Sequence, residues 1–540
     1  MSRVRRNSGP ALALLPALAV VGVFFLWPVA AIIVRGLVTP GPTLGDALTG
    51  VRAGHLVWFT LWQAAASTAL TVALGLPLAW LSARARYRGQ RAMRVLVTVP
   101  FVLPTVVVGV AFREVFAADG PLGFLGLSET VWVILLAHAY FNVAVVARLV
   151  GGVWAGMDPR TEEAARTLGA GPVRAFLTAS LPVLAPAIAS SAVVVFLFCA
   201  TSFGIVLIVG GTRFSTVETE IYQQVVGAFD LPTASVLALV QVLIVIAVVV
   251  LSQVLRARVA APPAKWLQHR RIRNGPRTWL AITAGAAITV GLLILPILSL
   301  VWRSLHPDPS GAAGLDAYRA LTAASGGVVP LKALQMSLVT ALQAGALALV
   351  LGVLAAVAVT RLRGPLGRFA DAVLMLPLGV SAVTLGFGYL VATAALPLSW
   401  RSSGVWLPIV QGLVALPIVV RVVAPALGAV DPRLRQAAAV LGASPARVFL
   451  TVDVPTVLRP LGVAACFALV ITLGEFGAAG FLVRPESMTL PVLVAQVMSR
   501  PGWGNAALAA ACSVLLVMAT VAIVAVMEAV RRDDPAQAEF

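Results

Sequence analysis

The sequence predicts an all-α, polytopic membrane protein of about twelve transmembrane helices, arranged as two parallel six-helix repeats. Three observations carry this. First, 60% of the 540 residues are hydrophobic, only 11% are charged, and mean hydropathy is +0.98; soluble domains carry about a quarter charged residues. Second, the apolar residues fall into runs near the length of about 20 residues that spans a bilayer as helix. Third, a polar stretch between two such runs, 158–182, recurs at 431–455. Asp158 pairs with Asp431, Gly169 with Gly442, Phe176 with Phe449 and Pro182 with Pro455, each 273 residues apart (431 − 158). A constant, gapless offset is the mark of a duplicated unit.

In chain order, residues 1–6 carry Arg3, Arg5 and Arg6 and precede an apolar run at 10–34. That run exceeds the roughly 7–15 residues of a signal-peptide core, so it reads as a retained first span. Further spans in the first half are expected at 57–81, 95–116, 131–154, 183–209 and 233–255. The second half repeats the count at 278–302, 333–359, 371–395, 405–427, 456–483 and 506–530. The organisation is therefore a first half (1–256), a basic linker (257–277) and a second half (278–540). Six spans is an even number, so each half starts and ends on the same side, as parallel repeats about an axis along the membrane normal do.

Charge orients the chain. Arg84, Arg86, Arg88, Arg91 and Arg94 follow the second span; Arg256, Arg258, Lys265, Arg270, Arg271, Arg273 and Arg277 follow the sixth. Arg361, Arg363 and Arg368 follow the eighth, and Arg531 and Arg532 lie near the C-terminus. The alternate loops are poor in base: 117–130 has no Lys or Arg, and 210–232 has only Arg213. The positive-inside rule puts both termini and both copies of the polar stretch in the cytoplasm. The net charge of +18 is thus a topology signal rather than a nucleic-acid footprint. The linker, kept irregular by Pro262, Pro263, Gly275 and Pro276, can lie on anionic lipid headgroups of the bilayer. Cys199, Cys466 and Cys512 all sit in apolar runs and read as packed small hydrophobes.

Each copy of the polar stretch reads as two short helices. Asp158 and Asp431 are N-caps, with Pro159 and Pro432 at the first helical position, where a missing N–H costs nothing. Gly169 and Gly442 suit the left-handed residue after a helix C-terminus. Pro172 and Pro445 open the second helix, and Pro182 and Pro455 end it.

Glu163-Ala164-Ala165, Gly169 and Leu181-Pro182 resemble the EAA loop of importer permeases of the ATP-binding cassette class. The second copy keeps Ala437, Ala438 and Gly442 but has Gln436 for the glutamate and Val454 for the leucine. The resemblance implies a MetI-like permease fold with both halves fused in one chain. It implies coupling helices, with Glu162, Glu163, Ala164, Ala165, Gly169, Gln436, Ala437, Ala438 and Gly442 docking on two copies of a cytoplasmic ATPase. It also implies an extracytoplasmic solute-binding protein. Glu162 and Glu163 face Arg435 and Gln436 in the alignment of the copies, so the first loop is expected to be the more sensitive to charge removal. The segment 201–211, followed by Glu220-Ile221-Tyr222-Gln223, is similar to ferric iron and thiamine permeases. Glu475-Phe476-Gly477 also looks like sulfate and molybdate permeases.

No Gly-x4-Gly-Lys-[Ser/Thr] phosphate loop exists; the two lysines, Lys265 and Lys332, do not follow glycine. ATP would be used by the partner, no cofactor is expected on this chain, and no metal-ligand motif or catalytic triad is present. Polar residues inside spans are costly in lipid and mark pathways or partners: Asn142, Thr201, Ser202, Gln241, Gln411, Thr472 and Glu475. Of these, Asn142, Thr201, Ser202, Thr472 and Glu475 are the candidates for the translocation pathway. Glu475 could equally be a helix-end residue paired with Arg484. A self-contained secondary transporter is the rival class. It would need several intramembrane ion-coupling residues, where Glu475 is the one strong candidate.

Overall fold

The computed structural model describes residues 14–38, 45, 49–84, 90–158, 160–211, 213–258, 276–308, 312–362 and 364–532. The basic residues 1–6, Arg86, Arg88, Pro159, Arg363 and most of the linker (259–275, with Lys265) lie outside them. Among the described residues there is no strand beyond one isolated bridge, Ser325 with Val328.

Nine helices among these residues are long and apolar enough to cross a membrane. In the first half they are α1 (Leu14–Gly36), α2 (Ala53–Arg84), α5 (Val131–Gly156), α7 (Val173–Ala200) and α10 (Leu231–Leu251). In the second half they are α12 (Pro330–Arg361), α15 (Trp406–Ala429), α17 (Pro445–Leu473) and α20 (Trp503–Val530). The third predicted span is not one helix. It is α3 (Gln90–Val102) and α4 (Thr105–Phe116), with the pair bent by 114°. The ninth is also broken, into α13 (Pro365–Met375), a 3-10 turn at Leu376–Gly379 and α14 (Ala382–Thr393). Pro100 and Pro104 stand at the first break and Pro377 at the second, where proline removes a helical hydrogen bond. The seventh run is helical from Pro276–Ile288 through a π turn to α11 (Leu295–Leu305).

The fifth and eleventh spans also start and end sooner than predicted, running through Pro182 and Pro455, which do not end a helix as expected. Both α7 and α17 carry a π turn, Phe176–Ser180 and Phe449–Asp453, at the same repeat position. They stop at Ala200 and Leu473, and the chain continues as short helices α8 (Gly204–Val209) and α18 (Ala479–Leu482). Two further short helices, α9 (Val217–Tyr222) and α19 (Leu490–Met498), fill what the sequence suggested were plain loops. Irregular backbone at this depth is tolerated where protein buries it.

The core of each half is α2 on α5, and α12 on α15, with α7 and α17 laid across them. Small residues set the closeness. A Cβ on Gly75 would stand 2.6 Å from Val146 Cβ, and one on Gly352 2.5 Å from Val419 Cγ1. Small residues let apolar helices approach where no hydrophobic effect drives them together. The matching contacts also correct the repeat. Val146 and Val419 differ by 273, but Gly75 and Gly352 differ by 277 (352 − 75). The constant offset therefore holds from the fourth span onward, and between the third and fourth spans the second half is four residues shorter than the first.

The first helix of each half packs on the other half. α1 lies against α14 and α10, and α11 against α4 and α20. Tyr389 Oη donates to Phe24 O at 2.7 Å, and a Cβ on Gly388 would meet Pro28 O at 2.9 Å. On the other side, Arg303 pairs with Glu114 (3.1 Å) and Asp119 (2.8 Å) and lies over the Trp503 ring.

Candidate functional site

Two features occur in duplicate: the polar loops, and the break at the ends of α7 and α17.

The first loop is built by local chemistry. Asp158 Oδ1 accepts from Arg160 N–H at 2.9 Å and opens α6 (Arg160–Thr167). Gly169 takes φ +86°, and Ala170 N–H reaches back to Ala165 O at 3.0 Å, closing a Schellman turn. The second loop repeats this bond for bond. Asp431 Oδ1 accepts from Arg433 N–H at 2.9 Å and opens α16 (Pro432–Val440); Gly442 takes φ +82°, and Ala443 N–H reaches Ala438 O at 3.0 Å. Glu163, Ala164 and Gly169 are exposed, as are Gln436, Ala437 and Gly442, whereas Ala165 and Ala438 are half-buried. The two loops thus present the same face outward.

What sequence reading missed is apolar. Leu168 and Leu441, repeat mates at the turn, are 89% and 87% exposed. Leu177 and Leu450, also mates, are exposed beside them. A signal existed, since Leu-Gly stands at the turn in both copies. Each turn needs glycine because a side chain at φ near +85° is strained. Gly442→Val is therefore expected to distort the second turn and lower solute uptake at least tenfold while the protein still inserts. Uptake assays on vesicles with matched protein content check this.

Both loops have a carboxylate at their attachment to the membrane helices. Glu162 bonds Arg166 (2.9 Å) and accepts from Ser180 Oγ (3.2 Å). Its repeat mate Arg435 is basic, yet the second loop does have its carboxylate: Asp453, the mate of Ser180, is fully buried and pairs with Arg435 at 2.7 Å and with Arg361. The charge has moved from one helix to the next rather than vanished.

At the second feature, Thr201, Ser202 and Glu475 lie in the breaks after α7 and α17 rather than inside helices. The rings of Phe203 and Phe476, repeat mates, stack on each other at 4.9 Å and 13°. Matched positions of the two halves thus meet face to face. Tyr222 packs on Phe203 (5.2 Å) and meets Phe481 edge-on (5.5 Å). Gly204 and Gly477, also mates, let the breaks approach the broken third and ninth spans. A Cβ on Gly204 would stand 2.5 Å from Thr105 Oγ1, and one on Gly477 3.0 Å from Val383 N.

Glu475 caps backbone: its carboxylate accepts from Ala478 N–H (2.7 Å) and Ala479 N–H (3.1 Å) at the start of α18. Arg484 donates instead to Arg401 O at 3.1 Å. Ser202 Oγ, its repeat mate, is buried without a hydrogen-bond partner. Asn142 and Thr472 lie within the packing of their own halves. Asn142 Nδ2 donates to His138 O, and Thr472 Oγ1 to Ala468 O. The structure adds a carboxylate that sequence reading passed over. Glu218, fully buried one turn before Tyr222, accepts from Gln241 Nε2 at 2.8 Å and from Ser381 Oγ, in the other half, at 2.6 Å. Its segment resembled an ordinary loop, although Thr216 and Thr219 form a capping box there. Among the described residues no cluster of His, Cys, Asp and Glu could hold a metal ion.

Comparison with known proteins matches this chain twice, over 75–261 and 348–532, to the model described as binding-protein-dependent transport system inner membrane component. The thiamine transport system permease protein ThiP of Escherichia coli K12 is 28% identical over 459 residues, covering 82% of this chain and 83% of that protein. The Salmonella typhimurium protein of the same name is 26% identical over 500 residues, covering 89% and 90%. The molybdenum transport system permease protein ModB of Azotobacter vinelandii is 31% identical over 176 residues, covering 31% of this chain and 78% of that protein.

Proposed function

The chain belongs to the family of binding-protein-dependent transport system inner membrane components, and on that premise we propose that it imports thiamine or a closely similar aromatic cation. In this reading a separate cytoplasmic ATPase docks one copy on each polar loop, and an extracytoplasmic binding protein delivers the solute between the halves. Both termini and both loops face the cytoplasm. The chain is a transport subunit, and ATP is hydrolysed by the partner.

One observation carries the reading of mechanism: two loops of identical backbone design, each tipped by an exposed leucine, stand at the ends of the helices that lead to the Phe203–Phe476 stack. Closure of an ATPase dimer would pull both loops, and α7 and α17 would carry that motion to the paired rings. The rings would part symmetrically, because they are repeat mates.

Two lines support thiamine over an oxyanion. The relatives that match across both halves are named as thiamine transport permeases. Glu475 adjoins the stacked pair in sequence, and Glu218 lies one turn from Tyr222, which packs on it. Two acidic side chains beside the seam would attract a cation and oppose an anion once the parting halves let water reach and ionise them. Thr201, Ser202 and Glu475 would line the path there as the rings part, while Asn142 and Thr472 would shape the helices behind them.

The test is uptake of labelled thiamine by cells lacking their own thiamine permease and supplied with this chain, its ATPase and its binding protein. Saturable uptake that excess thiamine competes away and sulfate or molybdate does not is expected. Competition by the oxyanions alone would overturn the solute reading.

A further inference from the structure

The two coupling loops are tied to their halves by the same three positions with the charge in different places. In the first half the positions are Arg84 at the end of α2, Glu162 on α6 and Ser180 in the π turn of α7. Ser180 Oγ donates to Glu162 at 3.2 Å. Arg84 is 4% exposed and attracted chiefly by Glu162, but its Nε and Nη2 are buried without a hydrogen-bond partner. In the second half the positions are Arg361 at the end of α12, Arg435 on α16 and Asp453 in the π turn of α17. Asp453, fully buried, takes Arg361 on one oxygen and Arg435 Nε, at 2.7 Å, on the other. Arg435 Nη2 also donates to Leu427 O at 2.8 Å. Arg84 matches Arg361 by the 277 offset of the early spans, and the other two pairs match by 273.

We propose that this triad orients each loop on its membrane helices, and that Asp453 is the positioning residue of the second loop, doing there what Glu162 does in the first. The inference rests on the reading that these loops couple to an ATPase. In the second half three elements meet at the Asp453 carboxylate, namely the end of the core helix, the coupling helix and the start of the crossing helix, whereas in the first Glu162 joins the coupling helix to the crossing helix through Ser180. A buried carboxylate bridging two guanidiniums holds them only while both partners stay in place, and removing it leaves two partly buried cations facing each other. Putting the acid on the π turn lets the coupling helix carry arginine. Putting it on the coupling helix requires a neutral residue behind. Ser180 and Asp453 obey that exchange, since neither half holds two acids or none.

The exchange can be tested without the partner. Amide hydrogen exchange is measured over 158–169 and 431–442 in the purified full-length permease. Asp453→Ser is expected to speed exchange over 431–442 at least tenfold and leave 158–169 unchanged; Glu162→Gln should do the reverse. The double variant Arg435→Glu with Asp453→Ser gives the second loop the arrangement of the first. It should return exchange over 431–442 to within threefold of the wild type. In the ATPase complex, the same double variant should recover the thiamine transported per ATP hydrolysed that Asp453→Ser loses.

Unchanged exchange in Asp453→Ser, or a double variant no better than Asp453→Ser alone, would overturn the proposal. Global loosening in Asp453→Ser that the double variant fails to reverse would overturn it too, because only unspecific destabilisation would then remain. If the exchange results hold while the wild-type permease neither binds nor stimulates an ATPase, the triad stands and the coupling reading falls.

Discussion

Leu168→Asp combined with Leu441→Asp is expected to release the ATPase from the permease. Each leucine is almost fully exposed at its turn, and Leu177 and Leu450 are exposed at a second matched position; single exposed leucines are ordinary, but apolar surface repeated at matched positions of both loops fits a partner's groove. Burying a leucine contributes about 2 kcal/mol. Losing both tips weakens a two-site contact by roughly a thousandfold, at about 1.4 kcal/mol per factor of ten, before the added cost of placing a charge in each groove. The measurement is co-purification of the ATPase with tagged permease, followed by ATPase stimulation in proteoliposomes. Either single variant should retain part of the binding, since the second loop still docks. Full retention by the double variant would move the docking surface away from these turns.

The second large effect is on the fold. Gly352→Ala places a Cβ within 2.5 Å of Val419 Cγ1 and 2.8 Å of its Cβ, and Gly75→Ala places one 2.6 Å from Val146 Cβ. Neither gap can be absorbed by rotating a flexible side-chain end, because the facing atoms include a Cβ next to the backbone. The core helix and its partner must separate, at a cost of about 1–3 kcal/mol for overpacking. Thermal unfolding of the detergent-purified protein should show a clear fall in midpoint for either variant. Adding Val419→Gly to Gly352→Ala, or Val146→Gly to Gly75→Ala, removes the facing Cβ and should recover part of it. Equal losses in the two halves would reflect the repeated packing; a loss confined to one half would show that the halves tolerate the contact differently.

These expectations draw unequally on sequence. The two polar loops were legible because every feature that shapes them is local. An aspartate cap, a proline and a glycine within 12 positions (158–169) decide the turn by themselves, and doubling made the pattern plain. The leucines at the tips were visible as letters, but their exposure was not. In a chain so rich in leucine, only the fold separates a knob from a packed residue.

The twelve apolar runs were likewise legible, because bilayer thickness sets their length. Their breaks were not read. Hydropathy averages over a window and is blind to a 114° bend inside a run that stays apolar, although Pro100 and Pro104 mark it. The same blindness placed Thr201, Ser202 and Glu475 inside helices and made the Glu218 segment a loop.

By itself, then, the sequence determined the class, the duplication, the number of apolar runs and the backbone of both polar loops. Each follows from local chemistry or from a periodicity along the chain. Tertiary structure alone decided that Phe203 stacks on Phe476, that Glu218 bonds Ser381 in the opposite half, that the first helix of each half lies on the other half, and that Asp453 replaces Glu162. These pairings join residues up to hundreds of positions apart. No local propensity encodes them; helix packing brings these positions together, and at the Phe203–Phe476 stack it sets matched positions of the two halves face to face.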